Sequence, residues 1–420
     1  MKFIKTPVKG TSDFIPKEMR LRQSVLSVIR RTYASYGFGE IETPAMEHIE
    51  NLTGKQGGEN EKLIFKILKR GAELQRALEK GDELADSGLR YDLTLPLSRF
   101  YAANADALPA PFKALQIGPV WRADRPQKGR FRQFVQCDID ILGDASILAE
   151  IELITATCAV LSELLGKAGI GKFTVHINDR RILRAMALAA GFPEEGAEEV
   201  FIQLDKLDKI GVDGVKEALL EAGFEKGAVE KYLSYFDRKD AASCAEFCRA
   251  IAPEQDPVGK AAADLDTVIA CVKKQAPESV NLIFDPTLVR GMGYYTGTIF
   301  EITLDDYNFS VAGGGRYDEM IGKFSGQKVP ACGFSIGFER IITVLKDAPG
   351  FAPEEKAEKK AILIEQGASP ETMLAAFEKA ALLRKDGKTV TVLPMKKNAK
   401  FQIDRLMEEG FSDVERIYNN

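Results

Sequence analysis

Between residues 112 and 142 apolar stretches alternate with a single short basic loop, and that pattern constrains the fold more than any other part of the chain. Residues 112–117, 120–123 and 132–142 read as strands, rich in Phe, Ile, Val and Leu. The loop between the last two carries Pro126 and Gly129 and is too short to hold a crossover helix. An antiparallel hairpin follows, because parallel neighbours need a connection of a dozen residues or more.

The remaining elements arrange themselves around this hairpin. Leu21, Val25, Leu26, Ile29 and Tyr33 recur at helical spacing over 17–37, with Gly37 as the stop, and 40–43 is extended up to Pro44. A strongly apolar helix is predicted at 147–167, then a strand at 173–177 and a helix from Asp179. From about 194 to 276 the composition turns helical and rich in Glu, Lys and Ala, with breaks at Gly211, Gly223 and near Pro253. Extended patterns return at 281–284 and 298–303. After a linker, a final α/β segment reads as strand 361–365, helix 369–385, strand 389–393, helix 397–409 and a last strand near 413–418. The fold class is therefore α+β, an antiparallel sheet flanked by helices. The boundaries expected are a core at 1–185, a helical insertion at 186–278, the core's second part at 279–347, a linker at 348–358 and a small α/β domain at 359–420.

Bulk properties exclude several classes. A chain of 420 residues has ample material for a large core and two or three domains. Its 57 basic and 62 acidic side chains leave a net charge of −5, so global charge does not mark a nucleic-acid binder. A local basic stripe could still serve a phosphate-bearing partner. The first twenty residues hold no apolar core long enough for a signal peptide, and no apolar run suggests a membrane span. Six scattered cysteines lack CxxC spacing, and no Cys or His lies near Cys244 and Cys248 to complete a metal site. The expectation is a cytoplasmic protein with reduced, buried thiols and no structural metal.

Four segments carry chemistry. The stretch 121–133 packs Arg122, Arg125, Arg130, Arg132 and Lys128 into a hairpin loop beside Asp124. Arginine forks bind phosphate and carboxylate oxygens bidentately, although a solvated charged turn has the same composition. Gly313, Gly314 and Gly315 in succession permit close backbone approach or positive φ. Downstream, 333–340 reads as a buried strand entering a helix, with Arg340 one turn in, where it could stack on an aromatic base. No Walker loop and no GxGxxG motif opening a βαβ unit occurs. The segment 288–298 combines Arg290 with Gly291, Gly293, Tyr294 and Tyr295, which suits either a ligand pocket or half-buried packing. Finally, Asp92 and Thr94 lie two apart in what reads as an extended stretch, where they could receive an ammonium, or Thr94 could cap a helix over 95–103. Gln136, Asp138 and Asp140 alternate on one face of their strand, as a solvent-facing edge or the floor of a binding site.

Taken together, these segments resemble the class II aminoacyl-tRNA synthetases and, among them, the histidyl-tRNA synthetase family. The likeness runs from about Gly10 to Arg340. Pro44 matches the dimer-interface motif, Arg122 to Gln133 the ATP-holding motif, Gly333 to Arg340 the third motif, and Arg290 to Tyr295 the segment peculiar to histidine enzymes. The resemblance implies histidine and tRNA(His) as partners, ATP with Mg2+, and a homodimer with no membrane association. It implies Arg122 and Arg290 as catalytic groups: Arg122 bridges the α-phosphate and the substrate carboxylate, and Arg290 neutralises the α-phosphate. Arg122, Asp124, Arg130 and Arg340 would bind ATP, Arg130 holding the distal phosphates and Arg340 lying over the adenine. Asp92, Thr94 and Gln136 would take the α-ammonium. Asp140 and Tyr294 would read the imidazole nitrogens, with Tyr295 lining that pocket. Most members carry glutamate where this chain has Asp92 or Asp140, and aspartate is a known variation.

Two departures from the family pattern stand out. The family usually has aspartate in place of Gly293. The segment from about 358 resembles the anticodon-binding domain but stops after its third strand, which puts anticodon recognition in question. The rival reading is the synthetase-like regulatory subunit of ATP phosphoribosyltransferase, which binds histidine without charging tRNA. Those relatives typically lose the ATP-binding arginines, whereas Arg122, Arg130, Arg290 and Arg340 are all present here.

Overall fold

A computed structural model describes residues 3–53, 60–126, 131–238, 243–251, 256–290, 293–305, 307, 309–348 and 358–419. The chain divides into two compact units, Met1–Phe351 and Ala352–Asn420. No helix among the described residues is long and apolar enough to cross a membrane.

The first unit contains the strands β1 (Gly39–Ile41), β2 (Met46–His48), β3 (Phe65–Leu68), β4 (Ala85–Leu89), β5 (Phe112–Trp121), β6 (Gln133–Leu142), β7 (Phe173–Asp179), β8 (Val280–Phe284), β9 (Thr298–Leu304), β10 (Ser310–Arg316) and β11 (Ala331–Gly337). Eight of them form one sheet in the order β1-β5-β6-β11-β10-β9-β7-β8. The expected hairpin is there, with Trp121 opposite Gln133 and Phe112 opposite Leu142. The run from β5 to β7 is antiparallel throughout, and the outer strands β1 and β8 each add in parallel. A small antiparallel sheet, β2-β4-β3, was not anticipated, because its strands are short and weakly alternating.

The alternation of β6 decides where the core sits. Cys137, Ile139 and Ile141 point to one face and are essentially fully buried. That face meets helix Leu148–Lys167, which is apolar around most of its circumference because it is enclosed by β6, β11 and the helices Pro16–Ser35 and Asp256–Gln275. The opposite face of β6 carries Gln136, Asp138 and Asp140, also buried, so the strand is covered on both sides. Helix Arg180–Ala190 starts as expected, with the Asp179 carboxylate accepting from the Arg181 N–H at 2.8 Å. The helices from Ala197 to Gln275 follow it, and the break at Gly211 is a left-handed kink with φ 70°.

Two local expectations need correction, and a third reading, left open between two alternatives, resolves to one of them. Residues 92–94 are not extended: Thr94 opens helix Thr94–Asn104, and Asp92, not Thr94, caps it by accepting from the Leu95 N–H at 3.1 Å. Asp and Thr flank the helix start either way, and only the tertiary contacts of the turn fix the register. Residues 112–121 form one strand, since pairing with β6 carries the ladder through Gly118 and Pro119. The glycine run lies in β10 with no positive φ, so close approach is what it provides.

In the second unit, β12 (Lys359–Ile364), β13 (Thr389–Pro394) and β14 (Asp413–Ile417) form a parallel sheet in the order β13-β12-β14. Ile362 and Ile364 pack towards Ala376 and Ala380 of helix Pro370–Lys385, while Ala361 and Leu363 pack towards Leu406 of helix Ala399–Glu408. The two helices therefore cover opposite faces.

Candidate active site

A cavity of about 320 Å³ opens over β6, β10 and β11. Asp92, Thr94, Arg122, Asp124, Gln136, Asp140, Arg290, Tyr294, Tyr295 and Arg340 all line it. Arg130 lies outside the described residues, as do Gly291 and Met292.

The sheet register builds the floor. Asp140 stands opposite Gly333 of β11, Asp138 opposite Ser335 and Gln136 opposite Gly337. Tyr317 donates its hydroxyl to Asp140 Oδ1 at 2.5 Å, and a Cβ at Gly333 would fall 1.9 Å from that same oxygen. Glycine at 333 is thus what lets the carboxyl lie across β11. Burial is the main cause that pushes the Asp140 carboxyl up to about 7; Tyr317 works against it and the nearby Asp92 adds to it. Burial also raises Asp92, and burial followed by the neighbouring Asp140 raises Asp138 well above the usual range. Asp92 Oδ2, Asp138 Oδ1, Asp140 Oδ2 and Gln136 Oε1 are buried without a hydrogen-bond partner. Buried polar atoms are paired in the great majority of cases, so four orphans around one cavity point to a polar ligand.

Cations share the cavity with these acids. Arg290 forms an ion pair with Glu301 of β9, and a Cβ at Gly313 would meet its guanidinium at 2.4 Å. Burial is the largest single influence and opposes its charge, but Glu301, Tyr295, Tyr294 and Asp205 together hold Arg290 above its ordinary pKa. Arg122 is anchored by Nε donating to Tyr91 O at 2.9 Å, and its guanidinium lies 5.2 Å from the Phe134 ring centre. Among the described residues its Nη groups make no hydrogen bond, which leaves the fork for an anion. Arg340 donates to Ser310 O at 2.5 Å and faces the Phe309 ring at 5.7 Å. Asp124 accepts through its backbone O from Arg132 Nε at 3.2 Å, tying the two arms of the hairpin together.

Tyr294 and Tyr295 pack at 4.7 Å between centroids, and Tyr317 meets Tyr294 edge-on at 6.1 Å. Gly293 is exposed, and a Cβ there would touch nothing within 4 Å. Several cavity residues had no sequence signal pointing to them. Tyr317 follows β10, Ser335 lies in β11 and Glu339 sits in the first turn of helix Phe338–Asp347, so only the sheet register fixes which way they point. Glu301 of β9 does not line the cavity and acts on it through Arg290. The alternation through 136, 138 and 140 was the one signal that could have added Asp138. No group of three or more His, Cys, Asp or Glu among the described residues is arranged to hold a metal ion.

Comparison with known proteins agrees with this geometry. A sequence model of the family described as "Histidyl-tRNA synthetase" matches residues 10–341. The histidine–tRNA ligase of Leifsonia xyli is 46% identical over 415 residues, covering 97% of this chain and 94% of that protein. That of Cytophaga hutchinsonii is 38% identical over 398 residues, covering 92% and 86%. The crystal structure of histidyl-tRNA synthetase from Nostoc sp. PCC 7120 superposes with a TM-score of 0.78 at 28% identity, covering 98% of this chain and 90% of that one. A Bacillus halodurans structure titled as an ATP phosphoribosyltransferase regulatory subunit/histidyl-tRNA synthetase superposes with a TM-score of 0.77 at 22% identity, covering all of both chains, a likeness of fold alone. Fold does not separate the enzyme from the regulatory subunit, whereas the family match and the identity to named ligases do: this chain belongs to the histidyl-tRNA synthetase family.

Proposed function

We infer that the cavity is where histidine meets ATP, and that the chain acts as a histidine–tRNA ligase, forming histidyl-adenylate and transferring histidine to the 3′ end of tRNA(His). The observation that carries this reading is one cavity holding both orphaned acids and anchored arginines. The acids suit the α-ammonium and imidazole of histidine, and the arginines suit its carboxylate and the phosphates of ATP. Asp92, Thr94 and Gln136 receive the ammonium. Asp140 and Tyr294 read the two imidazole nitrogens, with Tyr295 as the wall. Arg122 bridges the substrate carboxylate and the α-phosphate, and Arg290 neutralises the α-phosphate. Arg340 and Asp124 seat the rest of the nucleotide, and Arg130 the distal phosphates. ATP enters as its Mg2+ complex.

The reaction asks little of general acid–base chemistry. The substrate carboxylate is already an anion; it attacks the α-phosphorus in line and pyrophosphate leaves. The enzyme contributes position and fixed positive charge. Arg290, held against Glu301 in the free cavity, is charged in advance and can turn its fork to the developing charge. In the second step a ribose hydroxyl of tRNA attacks the adenylate carbonyl, releasing AMP. Binding to both imidazole nitrogens rejects isosteres, which would strand buried polar groups. The protein works as a homodimer in the cytoplasm. The test is histidine-dependent exchange of pyrophosphate into ATP by the purified protein with Mg2+, then charging of tRNA. Exchange with histidine alone among the amino acids is expected. Histidine binding without exchange would instead favour the regulatory reading.

A further inference from the structure

Asp138 is the buried acid that the roles above leave unused. It is 3% exposed, lines the cavity between Gln136 and Asp140, and forms no ion pair among the described residues. Its Oδ2 faces Gln136 Nε2 at 3.5 Å, and the same Nε2 donates to Ser335 Oγ at 3.0 Å. Once Asp138 is ionised it fixes the amide's orientation, because a flipped amide would set its carbonyl oxygen against the carboxylate; the Ser335 hydroxyl, which can accept or donate, accepts in this orientation. With Nε2 so held, Gln136 Oε1 is buried and unpartnered, as is Asp138 Oδ1. A buried, unpaired carboxyl is costly unless a ligand supplies the missing cation.

We propose that Asp138 is a specificity-determining residue for the α-ammonium of the amino-acid substrate, both orienting the Gln136 carbonyl and offering its own Oδ1 as an acceptor. The neighbouring carboxyls agree with this use. Asp92 and Asp140 face the same cavity, and no cation among the described residues pairs with any of the three, so a ligand ammonium is the charge the floor lacks. Burial and Asp140 favour protonation of Asp138 in the free protein, and an arriving ammonium would reverse that.

This rests on the cavity being the histidine site, and the test separates the two claims. Binding of histidinol, which keeps the ammonium, and of 3-(imidazol-4-yl)propionate, which lacks it, is measured by calorimetry on the full chain and on Asp138→Asn. Histidinol should weaken tenfold or more in the variant, and the des-amino compound by less than twofold. In pyrophosphate exchange the KM for histidine should rise tenfold or more, with the KM for ATP within twofold. Equal weakening of both ligands, or no weakening of histidinol, overturns the proposal. Absence of histidinol binding to the unaltered protein would overturn the histidine-site reading itself, and this proposal with it. Asp138→Ser, which removes the carboxyl without adding bulk, is read the same way. If both variants fail to fold, Asp138 is a structural group and the proposal falls.

Discussion

In the proposed mechanism charge neutralisation depends on Arg290, and its surroundings make the consequence of losing it specific. Glu301 holds the cation in place and Gly313 leaves room for it. Arg290→Ala should therefore cut adenylate formation by about two or more orders of magnitude, the scale of removing one preorganised donor. Single-turnover measurement checks this, and a variant keeping most of its rate would place the catalytic cation elsewhere. Asp140 makes a different prediction, about stability. Its folded pKa of about 7 lies above the roughly 3.9 of an unfolded aspartate. Between those values the folded chain holds a proton that the unfolded chain releases, so stability falls as pH rises through the window, by at most about 4 kcal/mol for this group acting alone. Asp140→Asn keeps an acceptor for Tyr317 and cannot ionise. It should raise Tm relative to the unaltered protein at pH 8 and leave the difference near zero at pH 4, while weakening histidine binding. Equal Tm differences at the two pH values would refute the burial argument.

Strand β10 shows how an element's sequence answers to its neighbours. A Cβ on Gly314 would lie 2.0 Å from Gly333 O and 2.8 Å from Phe300. Gly314→Ala should cost about 1–3 kcal/mol or more, because rigid backbone must move. Gly293→Ala is the control, since its Cβ would enter open space, and its effect should stay within about 0.5 kcal/mol. Thermal denaturation of the pair checks both, and similar losses would mean that close packing of β10 on β11 is not what selects glycine. The run Gly313–Gly315 was legible as a place of special backbone demand. Which demand it met was not, because strand packing and a left-handed turn leave the same mark in one dimension.

At the scale of the whole molecule, every cavity residue belongs to the unit Met1–Phe351, which has its own large core. The unit Ala352–Asn420 is a three-stranded parallel sheet with a helix on each face and separate small clusters. A chain ending at residue 351 should retain histidine-dependent pyrophosphate exchange within a few-fold of the full chain, while its charging of tRNA falls by tenfold or more. Loss of exchange in a folded truncation would show that the second unit supports the first step as well.

The hairpin, the apolar helix 148–167, strands β7, β8 and β9 and the three strands of the second unit were readable directly, because hydrophobic period and turn chemistry are local properties, whereas β2, β3, β4 and β10 were not. So were the arginines and tyrosines of the cavity, which carry their chemistry in short motifs. What tertiary structure alone decided was pairing between distant segments: Asp140 beneath Gly333 and Tyr317, Arg290 against Glu301, Gln136 turned by Asp138 and Ser335. Such partners are set by the register of the eight-stranded sheet, and register depends on the summed burial of all its strands rather than on any one of them.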